Sequence, residues 1–269
     1  MQLLNSGSFL LGPVIGASLY AVFPMSVVLI SDVVGAVLAS IALAVVKIPK
    51  LEKTDLEEQH FIAEIKEGLQ VFKEDRSLFC IVIAEALCMF FYAPLSSFYP
   101  LMTSHYFKLS AMYGSAVELS FAIGMMASSL LFSSILKINR KIRVSFIGLF
   151  GMGAMSLLCG IIPPTYIGWF FFAGGCICLG ASGNIHTIPL TAYMQETISP
   201  EKMGRAFSVL TLISSVTMPV GLLFSSPIAE KVGVNVWFFI SGLCMILLTA
   251  SVSFHYSVKR SILKRGVNR

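Results

Sequence analysis

The sequence predicts an all-α, polytopic membrane protein of eight transmembrane helices, and three observations carry that reading. The chain is 56% hydrophobic and only 12% charged, about half the charged share of an ordinary soluble domain. Apolar stretches of roughly 20 residues, enough to cross about 30 Å of hydrocarbon, recur along its length, and no Asp, Glu, Lys or Arg stands between Val144 and Gln195. The 19 Lys and Arg residues crowd onto alternate connections.

The spans fall at 4–23, 25–46, 78–103, 112–136, 142–162, 166–194, 206–228 and 234–256. With connections alternating sides, 17 Lys and Arg lie on one side and only Lys108 and Lys231 on the other. By the positive-inside rule the crowded side is cytoplasmic, so both termini are expected there, in a multi-pass protein of the cell membrane. No positively charged segment precedes the first apolar run and no cleavage site of small polar residues follows it, so a removable signal peptide is not expected. The formal charge of +5 follows from this topology and implies no nucleic-acid partner. Cys80, Cys88, Cys159, Cys176, Cys178 and Cys244 all fall within apolar stretches and read as small hydrophobes rather than a disulfide framework. Cys176 and Cys178 diverge on a helix, which argues against a metal pair, and no cofactor is implied.

The first span carries Gly12, Pro13 and Gly16. These leave little bulk on one helix face, and Pro13 removes a backbone hydrogen bond, so a neighbouring helix can approach and the segment can bend. Such a face serves either as a seal against leakage or as a close-packed kink. The connection from 47 to 77 is more than a linker. Thr54 and Glu57 have capping-box spacing, and Phe61, Ile65, Leu69 and Phe72 follow at helical intervals, which predicts an amphipathic helix on the cytoplasmic membrane face. It would either tether two bundles or simply park an apolar face. Placing Pro13 on Pro219 aligns the first two spans with the last two, a weak internal repeat. Ser199 and Pro200 read as an N-cap and first-turn pair, with Glu201 adding favourable charge to the helix start.

Four stretches together resemble the major facilitator superfamily, in its drug-efflux, macrolide-efflux-like branch. "GPVIG" at 12–16 resembles the Gly-Pro motif of the fifth helix of its antiporters, and "VVLISDVVGAVLASIAL" the sixth helix, which often bears an acid where Asp32 stands. "IAEIKEGLQVFKEDRSL" resembles the central cytoplasmic loop, and "QETISPEKMGRAFSV" the loop between helices ten and eleven. "LKINRKIR" keeps its positive charge but lacks the Gly-x-x-x-Asp-Arg pattern of many members. The resemblance implies a partial major facilitator fold corresponding to helices five to twelve. Residues 1–46 would then be the last two helices of an N-terminal bundle, 47–77 the central loop, 78–256 a complete six-helix bundle and 257–269 a basic tail. Four N-terminal helices, on the order of 130 residues at about 20 per span plus loops, would be missing, and the chain alone would not transport.

Three acids lie within the spans: Asp32, Glu85 and Glu118. An ionisable group at membrane depth costs a few kcal/mol at least and seeks a polar cavity or a partner. Cys88, Met89, Tyr92 and Ser96 follow Glu85 on its helical face, a mixed lining similar to a drug-binding wall, and protonation of Glu85 could be linked to release of a cationic or amphipathic substrate. Glu118 reads as a snorkelling acid near the outer end. Asp32 would pair with a residue of the missing half or cap an interhelical network. In the sixth span Gly180, Asn184, Thr187 and Thr191 share a face, lining a path or bonding between helices, and His186 on its flank reads as a satisfied bundle histidine.

The function implied is secondary active transport: proton-coupled efflux of a small amphipathic compound by rocking two bundles about a midplane site. The partners would be that substrate, protons and the bilayer. An enzyme is not expected, since the chain offers no H-E-x-x-H, no close pair of intramembrane acids and no nucleophile with an evident base. The alternative is a non-transporting membrane scaffold or one subunit of a split transporter.

Overall fold

The computed structural model describes residues 23, 25–45, 61–134 and 140–267, and every regular element among them is helical. In chain order these are α1 (Met25–Val45), α2 (Phe61–Glu74), α3 (Arg76–Leu101), a π-helical turn (Met102–Tyr106), α4 (Ala111–Ser134), α5 (Lys141–Ile161), α6 (Tyr166–Thr197), α7 (Pro200–Val232) and α8 (Val234–Val267). Six, from α3 with its π turn to α8, are long and apolar enough to cross a membrane, and α1 carries a shorter apolar run, Leu29–Ala42. The first predicted span, with Gly12, Pro13 and Gly16, lies outside the described residues, as do Thr54 and Glu57.

Small residues set how closely the six helices approach. At the α4–α6 crossing an added Cβ on Gly124 would collide with the Ile177 carbonyl, and one on Gly180 with that of Phe121. At the α5–α8 crossing, Gly160 lies against Phe239 and Gly242 against Leu157 in the same way. Without a hydrophobic force between helices in lipid, such close backbone packing is what holds them. Between the crossings, Tyr99 of α3, Phe172 of α6 and Phe238 of α8 pack their rings edge-on or tilted, with centroids 5.6–6.5 Å apart. α1 differs: all its described side chains are exposed.

Helix ends follow capping chemistry. The Asp75 carboxylate accepts from the Ser77 and Leu78 amides (2.7 and 3.3 Å), starting α3 immediately after α2 stops. α7 begins with Ser199 at the N-cap, Pro200 in the first turn and Glu201 beside it, so it starts six residues ahead of the apolar run that predicts it. The amphipathic helix of the central connection packs on protein rather than on the membrane face. Its Val71 and Phe72 are buried while Leu69 is exposed, and Gly68 rests on the Arg205 backbone and Val209 of α7. Of the marked residues whose side chains are described, Phe72 is buried as the apolar spacing predicts and Leu69 is exposed, its neighbour Gly68 making the close approach instead.

Candidate functional site

Glu85 lies nine residues into α3, about 14 Å from its start at about 1.5 Å per residue. Its side chain is only 16% exposed, and its Oε1 is 3.7 Å from Nε2 of His186 on α6, whose side chain is fully buried. Two ionisable groups 101 positions apart in sequence therefore face each other inside the six-helix group.

The imidazole is held from α5. His186 Nδ1 lies 2.7 Å from Ser145 Oγ and 3.2 Å from the Ser145 carbonyl oxygen, and the Ser145 hydroxyl donates to the His186 carbonyl at 3.0 Å. The contact with the Ser145 carbonyl, which can only accept, is one that a ring protonated on Nδ1 makes, and in that tautomer Nε2 of the neutral ring is an acceptor. One turn along α5 from Ser145 stands Gly148, where an added Cβ would collide with the backbone of His186. Gly148 and Ser145 together let α5 come close enough to fix the ring.

On the side facing Glu85 the bonding is incomplete. Both His186 Nε2 and Glu85 Oε2 are buried without a hydrogen-bond partner. With the ring proton on Nδ1, the imidazole lone pair and an ionised Glu85 oxygen would present two acceptors to each other at 3.7 Å. One proton between them would convert this into a donor–acceptor pair. Buried polar atoms are rarely left so, and among the described residues Trp169 Nε1 and Trp237 Nε1 are in the same position. His186 is thus not the fully satisfied bundle histidine that the sequence suggests.

The other predicted residues are dispersed. Along the face of Glu85, Cys88 is buried against α8, its Sγ 3.5 Å from Thr249 Oγ1. Met89 and Tyr92 are half-buried against the core, and Ser96 is exposed, donating to the Ala93 carbonyl. Asn184 is buried and donates to the Met125 carbonyl (2.6 Å) and Ser129 Oγ (2.8 Å) of α4, so it ties helices together. Thr187 and Thr191 are half-buried on α6, and Glu118 is half-buried on α4. Asp32 is exposed on α1. Among the described residues no three His, Cys, Asp or Glu gather to hold a metal ion.

A second polar region occupies the end of the bundle where the basic residues lie. Arg205 Nη1 meets Glu67 Oε2 at 2.6 Å, Lys202 Nζ meets Glu74 Oε1 at 2.8 Å, and Lys141 pairs with Glu196. The Tyr193 hydroxyl donates to Asp75 Oδ2 at 2.6 Å. These contacts join α2 and the ends of α3, α5, α6 and α7 that share the basic side.

The chain matches the family model of the Major Facilitator Superfamily over residues 1–222. It is 36% identical over 248 residues to a protein of Streptococcus pyogenes named Macrolide efflux protein A, covering 92% of this chain and 61% of that one. It is 34% identical over 222 residues to a protein of the same name from Enterococcus faecalis, covering 82% of this chain and 68% of the relative. The chain thus spans about three fifths of the length of the Streptococcus relative. No solved structure matches it.

Proposed function

The chain belongs to the major facilitator superfamily, a family of multi-pass membrane transporters, and from that premise we propose that it serves the proton-coupled export of a small amphipathic compound. The names of its relatives point to macrolides as the class to try first. In this reading both termini are cytoplasmic, the basic end of the bundle faces the cytoplasm, and residues 78–256 are the bundle that carries the proton site.

The observation that carries the proposal is the unfinished bonding between Glu85 and His186. With the ring proton on Nδ1, the pair has room for one proton between Oε1 and Nε2. The proton-loaded pair is neutral acid on neutral ring, or imidazolium on carboxylate. Both are satisfied states. The unloaded pair sets a carboxylate against a lone pair, and relief requires helix α3 or α6 to move or water to enter. Proton binding therefore biases two arrangements of the bundle, which is what coupling demands. Asn184, already doubly bonded, supplies interhelical rigidity in this account. Asp32, Glu118, Tyr92 and Thr187 remain candidates for the substrate path, and Gly12, Pro13 and Gly16 for a helix-packing seal.

Inside-out membrane vesicles test this, prepared from cells expressing the chain from DNA that keeps its own upstream flank. Accumulation of a radiolabelled macrolide should follow an imposed pH gradient and collapse to the no-gradient level in Glu85→Gln, while Glu118→Gln retains it. Equal, parent-level uptake in both variants would remove Glu85 from the mechanism. Gradient-independent membrane residence without any uptake would favour the scaffold reading instead.

A further inference from the structure

The bundle also carries a groove that neither Glu85 nor His186 lines. It lies between α5 and α8 at the basic end, with a volume of about 700 Å³, walled chiefly by Phe146, Ile147 and Phe150 from α5 and by Phe254 and Tyr256 from α8, with Arg143 at its mouth. Its origin is readable in the sequence. Toward the other end, Gly153, Gly160 and Gly242 bring the same two helices into backbone contact. At the basic end, rings stand between them instead, with Phe146 and Tyr256 at a centroid distance of 5.9 Å. Three of the walls are strongly exposed: Ile147 at 64%, Phe150 at 46% and Phe254 at 73%.

Arg143 is exposed and stands third in α5, one turn before Phe146 and Ile147 and two before Phe150. Over those seven residues the helix rises about 10 Å, so the groove runs from a cationic mouth into the depth of one leaflet. Among the described residues Arg143 joins none of the four ion pairs, whereas its neighbour Lys141 is taken by Glu196. A guanidinium outside the ion pairs of the described residues, beside an aromatic, membrane-depth groove, has the chemistry of a phosphate site over an acyl-chain slot.

We propose that this groove holds one anionic phospholipid of the leaflet at the basic end, its phosphate on Arg143 and an acyl chain along Ile147, Phe150 and Phe254. The site is independent of the transport reading, because it requires only that the helices lie in a bilayer.

The chain, reconstituted in phosphatidylcholine vesicles containing a photoactivatable phosphatidylglycerol, provides the test. Cross-linked residues should concentrate at 147–150 and 250–254. Arg143→Gln should cut that labelling about fivefold, the scale of one basic side chain at an anionic surface, and Arg143→Lys should restore much of it. Labelling elsewhere on the lipid-facing surface, at Phe171 of α6 for example, should stay constant and shows that the variant is folded. Uniform labelling of lipid-facing residues, no response to Arg143→Gln, or equal labelling by a photoactivatable phosphatidylcholine would each overturn the assignment. A cross-linked dimer formed through Ile147→Cys and absent from the parent chain would seat a second copy in the groove and overturn it as well.

Discussion

Two buried polar clusters sit on one helix, two residues apart, and differ in one respect. Asn184 points to α4 and finds two acceptors at 2.6 and 2.8 Å. His186 points between α3 and α5, and only its Nδ1 side is bonded, leaving Nε2 against an acid that is itself short of a partner. Both clusters cost desolvation, which the two Asn184 amide donations offset in the first. Amide donations of this kind are interhelical glue, while in the proposed function the half-bonded acid–imidazole pair is where a proton would bind. The contrast between the two clusters lies in the unbonded atoms that Glu85 and His186 turn toward each other.

The largest effect expected is at the residue that makes the second cluster possible. Gly148→Val would drive a branched side chain into the His186 backbone, against which even a Cβ has no space. Overpacking of this kind costs about 1–3 kcal/mol and should appear as a marked fall in thermal stability of the detergent-purified chain. Gly174→Ala, where nothing stands within 4 Å of the added carbon, should be silent on the same assay. Stability unchanged in Gly148→Val would mean that α5 is not clamped to α6 at His186, and the ring's contact with Ser145 would lose its basis.

The sequence announces much of this architecture and little of the pairing. The six spans from 78 to 256 are legible because apolar runs of membrane length, free of charge or with a single acid, mark membrane helices, and the helices begin and end within a few residues of most of them. α7 departs from its apolar run at the start because Pro200 fits a first turn and the Ser199 carbonyl accepts from the Lys202 and Met203 amides, six residues before hydropathy rises. Glu85 stands out as an acid at depth. Its partner does not, because a histidine in an apolar helix is unremarkable until the fold sets it beside an acid 101 positions away. The signal that was available is that His186 is the lone histidine in the charge-free stretch from Val144 to Gln195. The close approach of α2 at Gly68 was equally hidden, since a glycine adds nothing to an apolar pattern yet decides where two backbones touch.

An intermediate effect should distinguish the two clusters directly. Asn184→Ala removes two interhelical hydrogen bonds and leaves their acceptors buried, so it should destabilise by about 0.6–1.7 kcal/mol, the range found for such bonds in membrane proteins. Any remaining macrolide uptake should keep its dependence on the pH gradient. His186→Gln should do the reverse, losing the gradient dependence with a smaller change in melting temperature. If Asn184→Ala abolishes coupling while His186→Gln preserves it, the assignment of roles is inverted and the unbonded atoms are no guide to function here.

The smallest effect belongs to a third polar cluster, where solvent completes what the protein leaves unfinished. Lys202 and Glu74 pair at 2.8 Å, yet their side chains are 44% and 61% exposed, so water competes for both and salt screens them. Exposed pairs contribute roughly 0.2–1 kcal/mol at most, and Glu74→Gln should shift stability by no more than that, with the difference fading as ionic strength rises. Gradient-driven uptake in the same vesicles should be unaltered. The informative failure would be a Glu74→Gln chain of parent stability that no longer transports. The coupling group would then lie at the basic end, where α2 meets α7, and the unfinished bonds around Glu85 would need a structural explanation.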